Sequence, residues 1–138
     1  MLGALGGASL SGSGGRNCDV MSADQIAEIR PAIREVIEGA PETCATLEVE
    51  GAPDKWMQVV ERTINAAYPH EDHPQQRVST LPSLGALKLT GWEARKFASF
   101  ELHDLDVTAL ARWIDAYFVG VLACPAGAYH LDVSLQKL

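Results

Sequence analysis

The 138-residue sequence predicts an α+β domain, an antiparallel sheet of five to six strands with two main helices packed on one face. Three observations carry this reading. Apolar and polar residues alternate with period two through residues 43–60 and again through 86–103, as strands with one buried face require. Apolar residues recur at three- and four-residue steps through 26–37 and 107–122, the spacing that gathers side chains on one face of a helix. The resulting order, α-β-β-β-(α)-β-β-α-β, joins its strands mainly by short turns, so hairpin pairing is expected.

Residues 1–20, MLGALGGASLSGSGGRNCDV, are rich in Gly and Ser and hold little that can be buried. Such a segment is expected to stay flexible, because burial does not offset the entropy of ordering it. Residues 21–138 form the expected single domain, and Met21-Ser22 reads as a plausible natural start. The first helix follows, with Ile26, Ile29, Ile33, Val36 and Ile37 in register and Gly39 at its stop. Pro31 removes a backbone donor, so this helix either kinks there or begins near Arg30. TCATLEVE (43–50) alternates as the first strand, GAPD (51–54) reads as a turn, KWMQVV (55–60) returns, and TINAAY (63–68) completes a meander. A short helix is expected around Gln75 to Ser79. ALKLTGWE (86–93) and KFASFELH (96–103) pair across Ala94-Arg95. Asp106 caps the strongest helical pattern in the chain, Val107, Leu110, Ala111, Ile114, Tyr117, Phe118, Val121 and Leu122, which Pro125 ends. YHLDVSLQ (129–136) is the last strand.

The net charge of −7 disfavours nucleic acid, since phosphate binding needs a surplus of Lys and Arg, and it equally disfavours an anionic membrane surface. No stretch is long and apolar enough to span a bilayer. The three cysteines, Cys18, Cys44 and Cys124, are far apart and in no metal-ligand spacing. They suggest a reducing, cytoplasmic compartment, with Cys44 and Cys124 as small core residues.

YPHEDHPQQR (68–77) is the densest cluster of chemically capable groups. His70 and His73 are three residues apart, with Glu71 and Asp72 between them, but Pro74 pushes His73 out of helical geometry. The zinc-protease pattern needs histidines four apart, and a third ligand would have to come from His103 or His130. An exposed, metal-free loop is therefore expected, with alanine at both histidines changing stability by no more than about 0.5 kcal/mol. Asp104 and Asp106 beside His103 are explained by helix capping, and no serine sits in a nucleophile elbow. No catalytic, metal or cofactor residue is assigned. Among the aromatics, Phe100 and Phe118 read as core. Trp56, in phase with Gln58, and Trp113, beside Arg112 at the edge of the helical stripe, are the candidate partner-binding residues.

Five segments carry a family resemblance: Asn65…Tyr68-Pro69, Trp92-Glu93, Phe97-Ala98-Ser99-Phe100, the run Ala111 to Phe118, and Tyr129…Leu131-Asp132-Val133. In this order the chain, from about Ser22 to Leu135, resembles the bacterial peptide-binding chaperone-like domains grouped as TY-Chap, which are related in fold to type III secretion chaperones. The resemblance implies a non-enzymatic module that holds a peptide or a protein partner, and it leaves a homodimer open. It carries over no individual functional residue. The alternatives are a dedicated immunity or antitoxin-like partner protein and a small metal-dependent enzyme using the HEDH loop.

Overall fold

A computed structural model of the chain describes residues 17–39, 42–82, 87–103 and 106–137, with the side chains of the first helix described from Gln25 onward. The elements are α1 (Asn17–Glu38), β1 (Thr43–Val49), β2 (Ala52–Val60), β3 (Thr63–Ala67), α2 (Pro74–Val78), β4 (Leu87–Glu93), β5 (Phe97–Leu102), α3 (Val107–Gly120) and β6 (Leu131–Lys137). The six strands form one sheet in the order β4-β5-β3-β2-β1-β6, with every pairing antiparallel. The expected α+β architecture and element order are thus observed. Residues 1–16 of the expected leader lie outside the described residues, and α1 begins at Asn17 within the remainder of it.

Register explains the two faces. Leu47 pairs with Met57, Met57 with Ala66, Ala66 with Ala98, and Ile64 with Phe100, so these side chains share one face. All of them are fully buried. The helices cover this face: α1 packs along α3, and the Trp113 and Tyr117 rings of α3 meet Phe100 at 5.4 and 6.2 Å. Tyr117 also donates its hydroxyl to the carbonyl of Ala67 at 2.9 Å, which ties α3 to the end of β3. Burial pushes the Tyr117 hydroxyl well above its ordinary pKa, so it remains a donor at any ordinary pH.

Local chemistry sets the boundaries, in places differently from the sequence expectation. α1 runs on through Pro31 and does not start near it. Ala27 and Pro31 are both exposed, so the carbonyl that loses its helical partner faces water. The turn expected at 51–54 is tighter: Val49 pairs with Ala52, and Gly51 takes the positive φ of 79° that closes it. The register then jumps from Val49–Ala52 to Glu48–Trp56, which leaves Pro53, Asp54 and Lys55 as a bulge on β2. Proline has no N–H to give to a ladder, which is why the bulge falls there. At α3 the Asp106 carboxylate accepts from the backbone N–H groups of Thr108 and Ala109 at 2.9 and 3.2 Å, the expected cap. Asp104 lies outside the described residues.

Trp113 is not a surface residue. It is 1% exposed and wedged between Phe100 and Tyr117, with ring centroids 5.4 and 5.3 Å away. Its assignment as a partner-binding candidate is therefore corrected to core. The physical reason is that α3 is clasped between α1 and the sheet. Its buried side, which includes Leu110, Ala111, Trp113, Ile114, Asp115, Tyr117 and Phe118, is wider than a single apolar stripe.

Candidate functional site

The HEDH loop is built as a structural clasp. Each of its four chemically capable side chains is engaged with the fold. His70 places Nε2 2.7 Å from the carbonyl of Val121, the residue that ends α3. Because a carbonyl can only accept, Nε2 carries the proton, and the bond satisfies one of the carbonyls a helix leaves unpaired at its end. Glu71 pairs with Arg95 at 2.8 Å in the β4–β5 turn. Asp72 receives Arg77 Nε at 3.0 Å, while its backbone carbonyl accepts the Tyr68 hydroxyl at 2.6 Å. The Arg77 hydrogen bond is the main reason the Asp72 carboxyl is held below its ordinary pKa. His73 accepts from the Gln75 N–H through Nδ1 at 3.1 Å and so caps α2, and its ring lies against Trp92 at 5.2 Å.

His70 is thus half-buried rather than exposed, which corrects the sequence expectation for that residue. Histidine at position 70 reaches α3 because the loop folds back over the end of the helix, a proximity of residues 51 apart in sequence. Among the described residues, no three His, Cys, Asp or Glu side chains come together as a metal-ligand set. The bonds lead to a prediction. Replacing His70 with alanine removes a hydrogen bond worth about 0.5–1.5 kcal/mol, and replacing His73 removes a helix cap worth about 1 kcal/mol. The double variant should therefore melt several degrees below the parent, at about 4 °C per kcal/mol. A melting temperature within a degree of the parent would show that neither bond contributes.

A second polar group is buried inside the fold. The Tyr129 hydroxyl donates to Asp115 at 2.6 Å, and Gln25 of α1 donates its amide to the Tyr129 carbonyl at 2.5 Å. These bonds join α1, α3 and the approach to β6. Burial raises the Asp115 carboxyl above its ordinary pKa, and the bond from Tyr129 pulls it part of the way back. With the folded pKa above the unfolded value, the ionised buried group opposes folding at neutral pH, and this cost is relieved as the pH falls through the folded pKa. Asp115→Asn lacks that titration. Its stability relative to the parent should therefore decline as the pH is lowered from 7 towards 4, whatever the offset at pH 7. Denaturant titrations at several pH values measure this, and a relative stability that rises on acidification would contradict it. The signal in the sequence was an acid one position beyond Ile114, inside the helical stripe.

The face of the sheet opposite the helices carries the remaining candidate, and among the described residues no helix covers it. Residues of opposite phase to the core point here: Thr46 opposite Gln58, Gln58 opposite Asn65, and Asn65 opposite Ser99. Trp56, Gln58, Asn65, Lys96, Phe97 and Ser99 line a shallow depression of about 340 Å³. Trp56 and Phe97 are both half-buried, so each presents part of an aromatic ring to solvent. Ser99 donates to the Asn65 side-chain oxygen at 2.5 Å, which directs the Asn65 amide group away from that bond. Lys96 stands at the rim, paired with Glu93 at 2.8 Å, and that partner raises its pKa. Comparison with known proteins finds no matching family model, no matching curated protein and no matching solved structure.

Of the two tryptophans singled out from the sequence, the fold brings only Trp56 to a surface depression. Phe97 was missed. Its neighbour Ala98 is buried, and the period-two alternation of β5 turns Phe97 to the opposite face. That alternation was legible, but which face the helices cover was not. Among the described residues no helix is long and apolar enough to cross a membrane.

Proposed function

We propose that this chain is a chaperone-like adaptor domain that holds an extended polypeptide segment on the open face of its sheet, without transforming it. The observation that carries the reading is the depression shared by Trp56 and Phe97 on a face that no helix covers among the described residues. Aromatic rings supply large contact area at low entropic cost, and the amide groups of Gln58 and Asn65 suit a peptide backbone. The occupation of His70, Glu71, Asp72 and His73 by structural bonds supports a binding role over a catalytic one. Cys44 and Cys124 are free and buried, in keeping with a cytoplasmic setting.

The test is selection of peptides from a random display library on the purified protein. Enriched peptides should bind the parent and lose at least about tenfold in affinity on Trp56→Ala and on Phe97→Ala, the loss expected of an aromatic anchor. Thermal melting run alongside confirms that both variants stay folded. Failure to enrich any peptide, or equal binding by the folded Trp56→Ala variant, would overturn the reading.

A further inference from the structure

The two edges of the sheet are unlike. β4 carries a register break between Leu89 and Gly91 and presents Lys88, devices that discourage pairing with another strand. β6 has neither. It pairs with β1 in unbroken register from Leu131 to Lys137, and among the described residues no strand lies on its other side. It contains no proline and no glycine. Val133 and Leu135, 37% and 47% exposed, are the large apolar side chains that the described fold leaves most open to water. Both belong to the phase that the register assigns to the helix-covered face, opposite Leu47 and Ala45. Their exposure leaves the core face unfinished at this edge.

We propose that β6 pairs antiparallel with β6 of a second copy of this chain, about a two-fold axis at Ser134, to form a continuous sheet. Ser134 is the midpoint of the strand Leu131–Lys137, so this register alone engages all seven residues. It sets Val133 of each copy opposite Leu135 of the other, on the same face, and Leu131 opposite Lys137 at the two ends of the seam. On the other face it sets Asp132 opposite Gln136 and Ser134 opposite Ser134. No like charges meet, and the single acid and single base of the strand leave the seam neutral although each chain carries −7. A shift of the axis to Leu135 or to Val133 shortens the overlap to five residues of each strand. The Ser134 register alone keeps the whole strand paired, with apolar against apolar on either side of the axis. A second copy fits this edge for that reason.

A seam of one strand edge is small beside the roughly 2,000–5,000 Å² of permanent interfaces, so the dimer dissociates on dilution. The proposal is independent of the open-face reading, because the seam lies on the far side of β1 from the depression on β2, β3 and β5. Sedimentation equilibrium of the full chain from about 1 µM to about 1 mM brackets the affinities expected of such a seam. The expected result is a mass rising from 14.8 kDa towards twice that value. Leu135→Lys should raise the dissociation constant at least about tenfold, since it removes the apolar contact and adds a cation to the seam. Leu135 is exposed, so thermal melting of that variant should match the parent. A Ser134→Cys variant, made with Cys18→Ser, should form a covalent dimer on oxidation because the axis brings the two positions within disulfide reach. Asp132→Cys in the same background should not, since it faces Gln136. A parent that remains monomeric throughout overturns the proposal. So does a dimer that survives Leu135→Lys, or one in which Ser134→Cys fails to cross-link.

Discussion

Trp113→Ala is expected to cost about 3–5 kcal/mol, a large share of the 5–15 kcal/mol that holds a domain folded. The side chain is 1% exposed and touches the two rings that join α3 to the sheet, Phe100 and Tyr117. Its removal opens a cavity between a helix held by α1 on one side and a hydrogen-bonded sheet on the other, and neither can collapse to fill the space. The matching change at Trp56 is the control. Trp56 is half-buried on the open face and should cost clearly less when truncated. Denaturant unfolding followed by circular dichroism ranks the two. If Trp56→Ala proves as damaging as Trp113→Ala, the open face is not a free surface.

Phe118→Ala should be of similar severity, about 3–5 kcal/mol. Phe118 is fully buried, and its ring lies 5.6 Å from that of Tyr129. Tyr129 in turn bonds Asp115 and Gln25, so the loss spreads from packing to a buried polar group. The conservative Phe118→Leu keeps most of the volume and should cost less than about 1.5 kcal/mol. Hydrogen exchange gives a local readout. In Phe118→Ala the amides of β6 should exchange faster than those of β3, because Tyr129 leads the chain into β6 while β3 is held between two strands. Equal acceleration in both would indicate global loss without a special role for the Phe118–Tyr129 contact.

The difference between the two tryptophans shows where one-dimensional reading stops. In β2 the phase of Trp56 with Gln58 was visible, and the fold keeps it, because successive strand residues point to opposite faces by backbone geometry alone. In α3 the place of Trp113 beside the stripe was also visible, yet its meaning depended on how many neighbours the helix has. A helix with one covered side leaves such a residue at the boundary. A helix clasped by α1 and by the sheet buries it. The histidines of the loop divide in the same way. His73 caps α2, a bond between residues two apart that local chemistry permits. His70 meets Val121 only because the chain brings the loop back across the end of α3.

One-dimensional pattern sufficed for the strands, the helices, their order and the Asp106 cap, because these follow from periodicity, turn residues and hydrogen bonds between near neighbours. It also determined which strand residues share a face. Tertiary structure alone decided which of the two sheet faces the helices cover, and so that Trp56 and Phe97 line an open depression while Trp113 is core. It alone decided that Asp115 lies buried beside Tyr129, and that among the described residues β6 ends the sheet with Val133 and Leu135 exposed. The division has one cause. Local patterns encode the direction in which a side chain points, whereas burial depends on what distant parts of the chain bring against it.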